Sequence, residues 1–356
     1  MINERVLNLQ SKLTDGEAFL VTSPSNRFYL TGFNSSAGTV VITREKAVFF
    51  IDFRYFEKAK QTVKSCSVAL FDKGDKDIYK FLESENIKTV FVETDFVSVA
   101  KLKYYGSIFD GLSFSKENRL DTELFNMRAV KSEYELNLIK EAQNLTEQTF
   151  DYIITRISEG RSEREVMRDM EFFMRGLGAD GVAFDFIVVS GKNSSLPHGV
   201  PTDKKIEKGD FVTMDFGALY KGYRSDMTRT VAVGNVSEEQ RTVYETVLKA
   251  QTAACGAIKA GNACCDMDKI ARDIIYNARY TGCFGHALGH SVGIDIHESP
   301  SLSPGNKTIL KPGYVVTVEP GIYIENKFGV RIEDMVYVTD DGCINLTKSK
   351  KELIIL

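Results

Sequence analysis

The chain has 356 residues, with 45 basic and 49 acidic side chains and 43% hydrophobic content. This length predicts two domains, and the composition is that of a folded globular protein, which excludes a disordered or low-complexity scaffold. A formal net charge of −4 without a lysine–arginine cluster argues against nucleic acid as a partner, and no run of about 18 apolar residues is present to cross a membrane.

The first thirteen residues, MINERVLNLQSKL, mix charges into an apolar pattern and lack the core of a signal peptide. A cytoplasmic location is therefore expected. The six cysteines form no CxxC pair and are expected to be reduced thiols. Residues 1–124 read as one mixed α/β domain. Apolar runs at Ala18–Thr22, Val40–Ile42, Ala47–Ile51 and Val90–Val92 predict strands, and helical patterns fall near Glu4–Leu13, Tyr55–Ser65 and Asp77–Glu85. The polar stretch Ser113–Leu120 is expected to be a linker.

Residues 125–356 read as a second domain. Ser132-x-x-Glu135, Ser162-x-x-Glu165 and Ser237-x-x-Gln240 are capping boxes that open three helices. Gly261-Asn262 precedes a fourth helix that runs toward Ala278, and strands are expected at Phe211–Leu219 and from Tyr314 onward. The order of two helices followed by strands thus occurs twice, which predicts an internal duplication. The segments Gly209–Asp215 (GDFVTMD) and Gly313–Glu319 (GYVVTVE) align without a gap at an offset of 104, the difference between 313 and 209.

Each of those strands ends on an acid. Asp215 is followed by a turn at Tyr220–Tyr223 and a returning strand with Asp226, so the two aspartates are opposite or diagonal neighbours in a hairpin. Glu319 and Glu333 are arranged the same way about Glu325–Gly329. One such pair would ordinarily face solvent. Two pairs at equivalent points of a repeat need cations to offset like charges only about 5 Å apart, and oxygen-rich sites of this kind bind divalent metals.

All four histidines fall in one window: His198 in the loop Ser194–Pro201 just upstream of the first acidic strand, and His286, His290 and His297 in a glycine-rich segment just upstream of the second. His286-x-x-x-His290 has the spacing of a helical zinc site. Ala287 stands where the glutamate of HExxH belongs, and the glycines disfavour a helix, so that reading is rejected. Together the histidines fit a ligand plus acid–base or oxyanion groups.

The motifs LPHG, MDFG with SDMTRT, GHALGHSVGIDIHE, VEPGIY and GVRIED resemble those of the pita-bread-fold metallopeptidases (family M24). The segments Tyr29–Phe33 and Asp52–Tyr55 are similar to the N-terminal domain of the aminopeptidase P and prolidase branch. The resemblance implies an α/β (α+β) fold: a creatinase-like N-terminal domain over 1–124, then a pita-bread domain over 125–356 with an internal pseudo-twofold repeat.

It further implies Asp215, Asp226, His290, Glu319 and Glu333 as ligands of two divalent ions. Manganese is expected from the hard donor set, with cobalt or zinc as substitutes. His198, His297 and Glu319 are the implied catalytic groups, with Glu319 as proton shuttle. His286, Tyr323 and Arg331 are the implied substrate-binding residues, and Arg331 shares a strand face with Glu333 by period-two alternation. One departure is Ser291, where many relatives carry glycine.

The implied reaction is hydrolysis of an Xaa-Pro bond by a hydroxide bridging two metals, with proline-containing peptides or dipeptides as substrates and a homodimer as the assembly. Xaa-Pro aminopeptidase is the favoured activity, because nothing marks a dipeptide-limiting insertion. Xaa-Pro dipeptidase (prolidase) is the alternative, and a non-catalytic binding module or a creatinase-like hydrolase are the remaining readings.

Overall fold

The computed structural model describes residues 2–356, which form two compact units divided between Arg128 and Ala129. In the first, the order is α1 (Ile2–Gln10), β1 (Glu17–Val21), α2 (Pro24–Thr31), β2 (Thr39–Thr43), β3 (Ala47–Ile51), α3 (Phe53–Thr62), β4 (Ser67–Leu70), α4 (Asp75–Ser84), β5 (Thr89–Val92), α5 (Val99–Ile108), β6 (Ser113–Ser115) and α6 (Arg119–Ala129). The strands make one mixed sheet in the order β4-β3-β2-β1-β5-β6. Its apolar core includes Leu20, Val41, Ile78, Leu82, Val90 and Phe109.

The stretch expected as a linker is instead an edge strand and the start of a helix. Ser113–Ser115 pairs parallel with Thr89–Phe91. The alternation Ser-Phe-Ser turns Phe114 inward, where its ring stacks on Tyr105 at 5.3 Å and meets Phe109 edge-on at 5.4 Å. A single aromatic on the buried face outweighs the polar character of its neighbours.

The second unit contains α7 (Glu133–Ile153), α8 (Glu163–Gly176), β7 (Gly181–Val182), β8 (Ile187–Ser190), β9 (Phe211–Phe216), β10 (Ala218–Tyr220), β11 (Tyr223–Arg224), β12 (Met227–Ala232), α9 (Glu238–Ala257) and α10 (Cys264–Asn277). There follow β13 (Gly289–Ser291), β14 (Glu298–Leu302), β15 (Val315–Val318), β16 (Gly321–Ile324), β17 (Phe328–Arg331), β18 (Asp334–Val338) and β19 (Cys343–Asn345). All three capping boxes form with reciprocal hydrogen bonds, which fixes the starts of α7, α8 and α9.

Two helices followed by strands do recur. The aligned strand openings share a backbone conformation, with φ of 96° at Gly209 and 94° at Gly313. In the first half β12, β9 and β8 form an antiparallel sheet packed over Met170, Val188, Met214 and Met227. In the second half β15 pairs with β18 at the centre of the sheet β14-β13-β15-β18-β19. Among the described residues no helix is long and apolar enough to cross a membrane.

Candidate metal centre

The acidic pairs sit where their strands end. Phe216 pairs with Met227 and Asp215 with Thr228 across β9 and β12. Asp226, one step before Met227, is therefore a diagonal neighbour of Asp215. The connecting turn places Tyr220 opposite Tyr223, with positive φ at both Lys221 and Gly222, the type I′ geometry that matches strand twist. In the second half Val318 pairs with Asp334, so Glu319 and Glu333, one step further on, face each other directly.

The two halves are joined at this point. The Glu333 amide donates to the Thr228 carbonyl at 3.1 Å, and the Thr228 hydroxyl donates to Glu333 Oε2 at 2.7 Å. His290 is the middle residue of β13, which is a strand rather than a helix. A Cβ at the preceding Gly289 would drive into the Thr317 carbonyl, so glycine is required for the strands to approach this closely. Thr317 Oγ1 accepts the His290 amide at 3.0 Å and donates to Glu319 Oε1 at 3.2 Å. One hydroxyl thus aligns two prospective ligands. Ser291 takes the place of glycine without strain: its buried hydroxyl donates to the Pro300 carbonyl at 3.2 Å.

His290 Nδ1 faces the Ser291 carbonyl at 3.1 Å. That contact assigns the ring proton to Nδ1 and leaves the Nε2 lone pair facing Asp226 Oδ2 at 3.6 Å and Glu319 Oε1 at 3.4 Å. Burial lowers the imidazole pKa to about 4, so the ring is neutral and able to ligate. Burial, reinforced by neighbouring carboxylates, pushes the Asp226 and Glu333 carboxyls well above the usual range, and burial raises Glu319 to about 8.

Asp226, His290 and Glu333 offer ligand atoms that all lie within 4.8 Å of one another. Among the described residues, the buried oxygens Asp215 Oδ1, Asp226 Oδ1 and Glu333 Oε1 have no hydrogen-bond partner. Buried carboxylate oxygens without partners are costly, and a cation bound between them removes the cost. The residues therefore fit a divalent ion, and the donor chemistry, oxygen-rich with one imidazole, suits a hard metal.

Asp215 and Glu319 line the same cavity, whose volume is about 270 Å³. The other Asp215 oxygen accepts from Arg331 Nη2 at 2.7 Å. Arg331 also donates to Tyr323 Oη at 2.7 Å and to Thr228 Oγ1 at 3.1 Å. The Tyr323 hydroxyl lies 2.9 Å from His286 Nε2, and His286 Nδ1 faces the Ala287 carbonyl at 2.8 Å. Arginine donates to tyrosine, so tyrosine donates to Nε2, and Nδ1 carries the histidine proton. Burial, assisted by Arg331, lowers His286 to about 4, and burial pushes Tyr323 up to about 12.

His297 meets the His290 ring edge-on, with centroids 4.5 Å apart, and His198 reaches the same cavity from the loop after β8. Phe184, Ile187 and Ile296 supply apolar wall. The structure thus gathers all ten residues singled out in the sequence, with Tyr323 behind the lining. Sequence reasoning missed Thr228 and Thr317, and also the half-buried pair on α10, where Arg272 donates to the buried Asp268 at 2.7 Å and to the Phe284 and His286 carbonyls. The i, i+4 spacing of Asp268 and Arg272 was the available signal. The threonines gave none, because their partners are distant in sequence.

Opposed acidic strands with a neutral imidazole, in a walled cavity, define a metal-dependent hydrolase built on a duplicated α/β unit. The chain belongs to metallopeptidase family M24, which it matches over residues 137–340, and residues 5–128 match the Creatinase/Prolidase N-terminal domain. An Xaa-Pro dipeptidase of Pyrococcus horikoshii is 40% identical over 341 residues, covering 95% of this chain and 94% of that one. Among solved structures, an Xaa-Pro dipeptidase from Bacillus anthracis has a TM-score of 0.95 at 39% identity and full coverage of both chains. An X-Pro aminopeptidase from Thermotoga maritima has a TM-score of 0.92 at 36% identity, covering 99% of each chain. The protein is a metallopeptidase.

Proposed function

We propose that the protein is an Xaa-Pro dipeptidase, with residues 125–356 carrying the chemistry. The observation that carries the reading is the convergence of partnerless carboxylate oxygens on one small cavity. The relatives described as dipeptidases, at 40% and 39% identity, favour the dipeptidase over the aminopeptidase expected from the lack of a dipeptide-limiting insertion.

In this reading Asp226, His290 and Glu333 hold one ion, and Asp215 and Glu319 extend the donor set to a second. Manganese is the proposed metal. Divalent ions supply a Lewis acid and acidify water when bound. The protein's own groups do the rest. Glu319 accepts and returns the proton that moves between nucleophile and leaving amine. His198 and His297 donate hydrogen bonds to the carbonyl oxygen as it gains charge. His286, with its proton fixed by Tyr323 and Arg331, borders the proline.

The test compares Ala-Pro with Ala-Pro-Ala on protein loaded with manganese. Cleavage of Ala-Pro with little or none of Ala-Pro-Ala is expected. Preference for the tripeptide overturns the dipeptidase reading, and failure on both overturns Xaa-Pro specificity.

A further inference from the structure

His198 lies in an exposed loop, and among the described residues no side-chain hydrogen bond holds its ring. Its position is set by the loop alone. That loop leaves β8 at Ser190, turns through Gly191–Ser195 and Pro197, and returns at Thr202. Both of its ends fasten to one side chain, the wholly buried Glu163 at the first position of α8.

Glu163 Oε1 accepts the Ser190 amide at 2.6 Å and its hydroxyl at 3.0 Å. Oε2 accepts the Thr202 amide at 3.0 Å and its hydroxyl at 2.6 Å. The Asn193 side-chain amide spans both oxygens, at 3.1 and 3.2 Å. Gly191 stands at φ 52°, and a Cβ there would strike the Asp210 carboxylate, so the exit from β8 has one available course. Further out, Ser194 Oγ accepts the Gly329 amide at 2.9 Å, and Arg331 Nη1 reaches the Pro197 carbonyl at 3.3 Å. The loop is thus tied at its base by Glu163 and braced toward its tip by the strand that leads to Glu333.

We infer that Glu163 is a positioning residue for His198: it clamps both ends of the histidine's loop and so places the ring over the cavity. A buried carboxylate with this many donors is served by no neutral substitute. Glutamine offers a single acceptor oxygen and turns an amide N–H toward donors that then lose their partner. A group displaced by about 1 Å loses much of its contribution to the rate. The inference rests on the assignment of His198 to substrate contact made above.

A double-mutant cycle tests it. On manganese-loaded full-length protein with Ala-Pro, Glu163→Gln should lower kcat/KM by about tenfold or more, approaching the loss in His198→Ala. Metal content, read by elemental analysis, should equal that of the wild type, and adding Glu163→Gln to His198→Ala should change kcat/KM less than twofold. Multiplicative losses, or a reduced metal content, overturn the inference, because a general structural role acts whether or not His198 is present. Thr202→Val, which removes one hydroxyl donor and keeps the carboxylate, carries the same cycle if Glu163→Gln does not fold. Wild-type protein inactive on Ala-Pro and Ala-Pro-Ala would instead refute the proposed function, so the two failures are distinguishable.

Discussion

At the residue scale, the site is organised by what its carboxylates lack. Asp226→Asn and Glu333→Gln each replace an oxygen donor by an amide N–H facing the proposed ion. Each is expected to cost at least one metal equivalent and more than ~10²-fold in activity, since even outer partners of ligands are worth 10- to 100-fold. Metal analysis alongside kinetics checks this, and full occupancy in either variant would count against the ligand set. The same residues predict a pH dependence. Glu319 is raised from the usual carboxyl range to about 8, and Asp226 and Glu333 are raised well above it. The metal-free fold therefore holds protons that the unfolded chain has released, and it loses stability as pH rises through this range. The histidines lowered to about 4 act in the opposite sense, but only below their unfolded value near 6.5. Between about pH 6.5 and 8 the raised carboxyls outweigh these two histidines. The melting temperature of metal-free protein should fall across that window, while the increment on adding Mn²⁺ should grow, because metal displaces those protons. An increment that shrinks with pH would refute this.

At the scale of elements, what was legible depended on how local its cause is. The capping boxes at Ser132, Ser162 and Ser237 could be read because donor and acceptor are three residues apart. Ser237→Ala should cost ~1 kcal/mol in denaturant unfolding with activity unchanged, since neither Ser237 nor any residue of its helix lines the cavity. The acidic hairpins were legible through a symmetric turn. The edge strand at Ser113–Ser115 was not, because only the rings of Tyr105 and Phe109 explain its Phe114. Nor were Thr228 and Thr317 marked out. Thr228 acquires its task from Glu333, 105 residues away, and Thr317 from His290, 27 residues away. Gly289→Ala tests this closeness of strands: the added methyl should displace β13 from Thr317 and weaken manganese affinity, measured by calorimetric titration, without touching any donor atom.

At the scale of the whole second unit, the repeat halves share a buried polar axis. Arg229, wholly enclosed, donates to the Glu333 carbonyl, to Asp334 Oδ1 at 2.8 Å and to the carbonyls of Ser349 and Lys350. Lys351 closes the network by reaching Asp334 Oδ2 at 2.7 Å. Removing one member leaves a buried carboxylate short of its main partner. Arg229→Ala should therefore cost ~3–5 kcal/mol in urea unfolding, far more than any cap, and a cost below ~1 kcal/mol would refute the axis. The chain's final segment thus sits beneath the centre that strands from both halves create.

That division of donors has a consequence for how the molecule comes into being. Of the proposed donors, Asp215 and Asp226 are made first, His290 follows 64 residues after Asp226 (290 − 226), and Glu319 and Glu333 come 93 and 107 residues after Asp226 (319 − 226 and 333 − 226). A nascent chain emerging from the ribosome carries two aspartates and nothing to complete a cage around an ion. Selection of the metal is thereby postponed until both halves of the repeat have been made, when geometry rather than first encounter decides which cation stays.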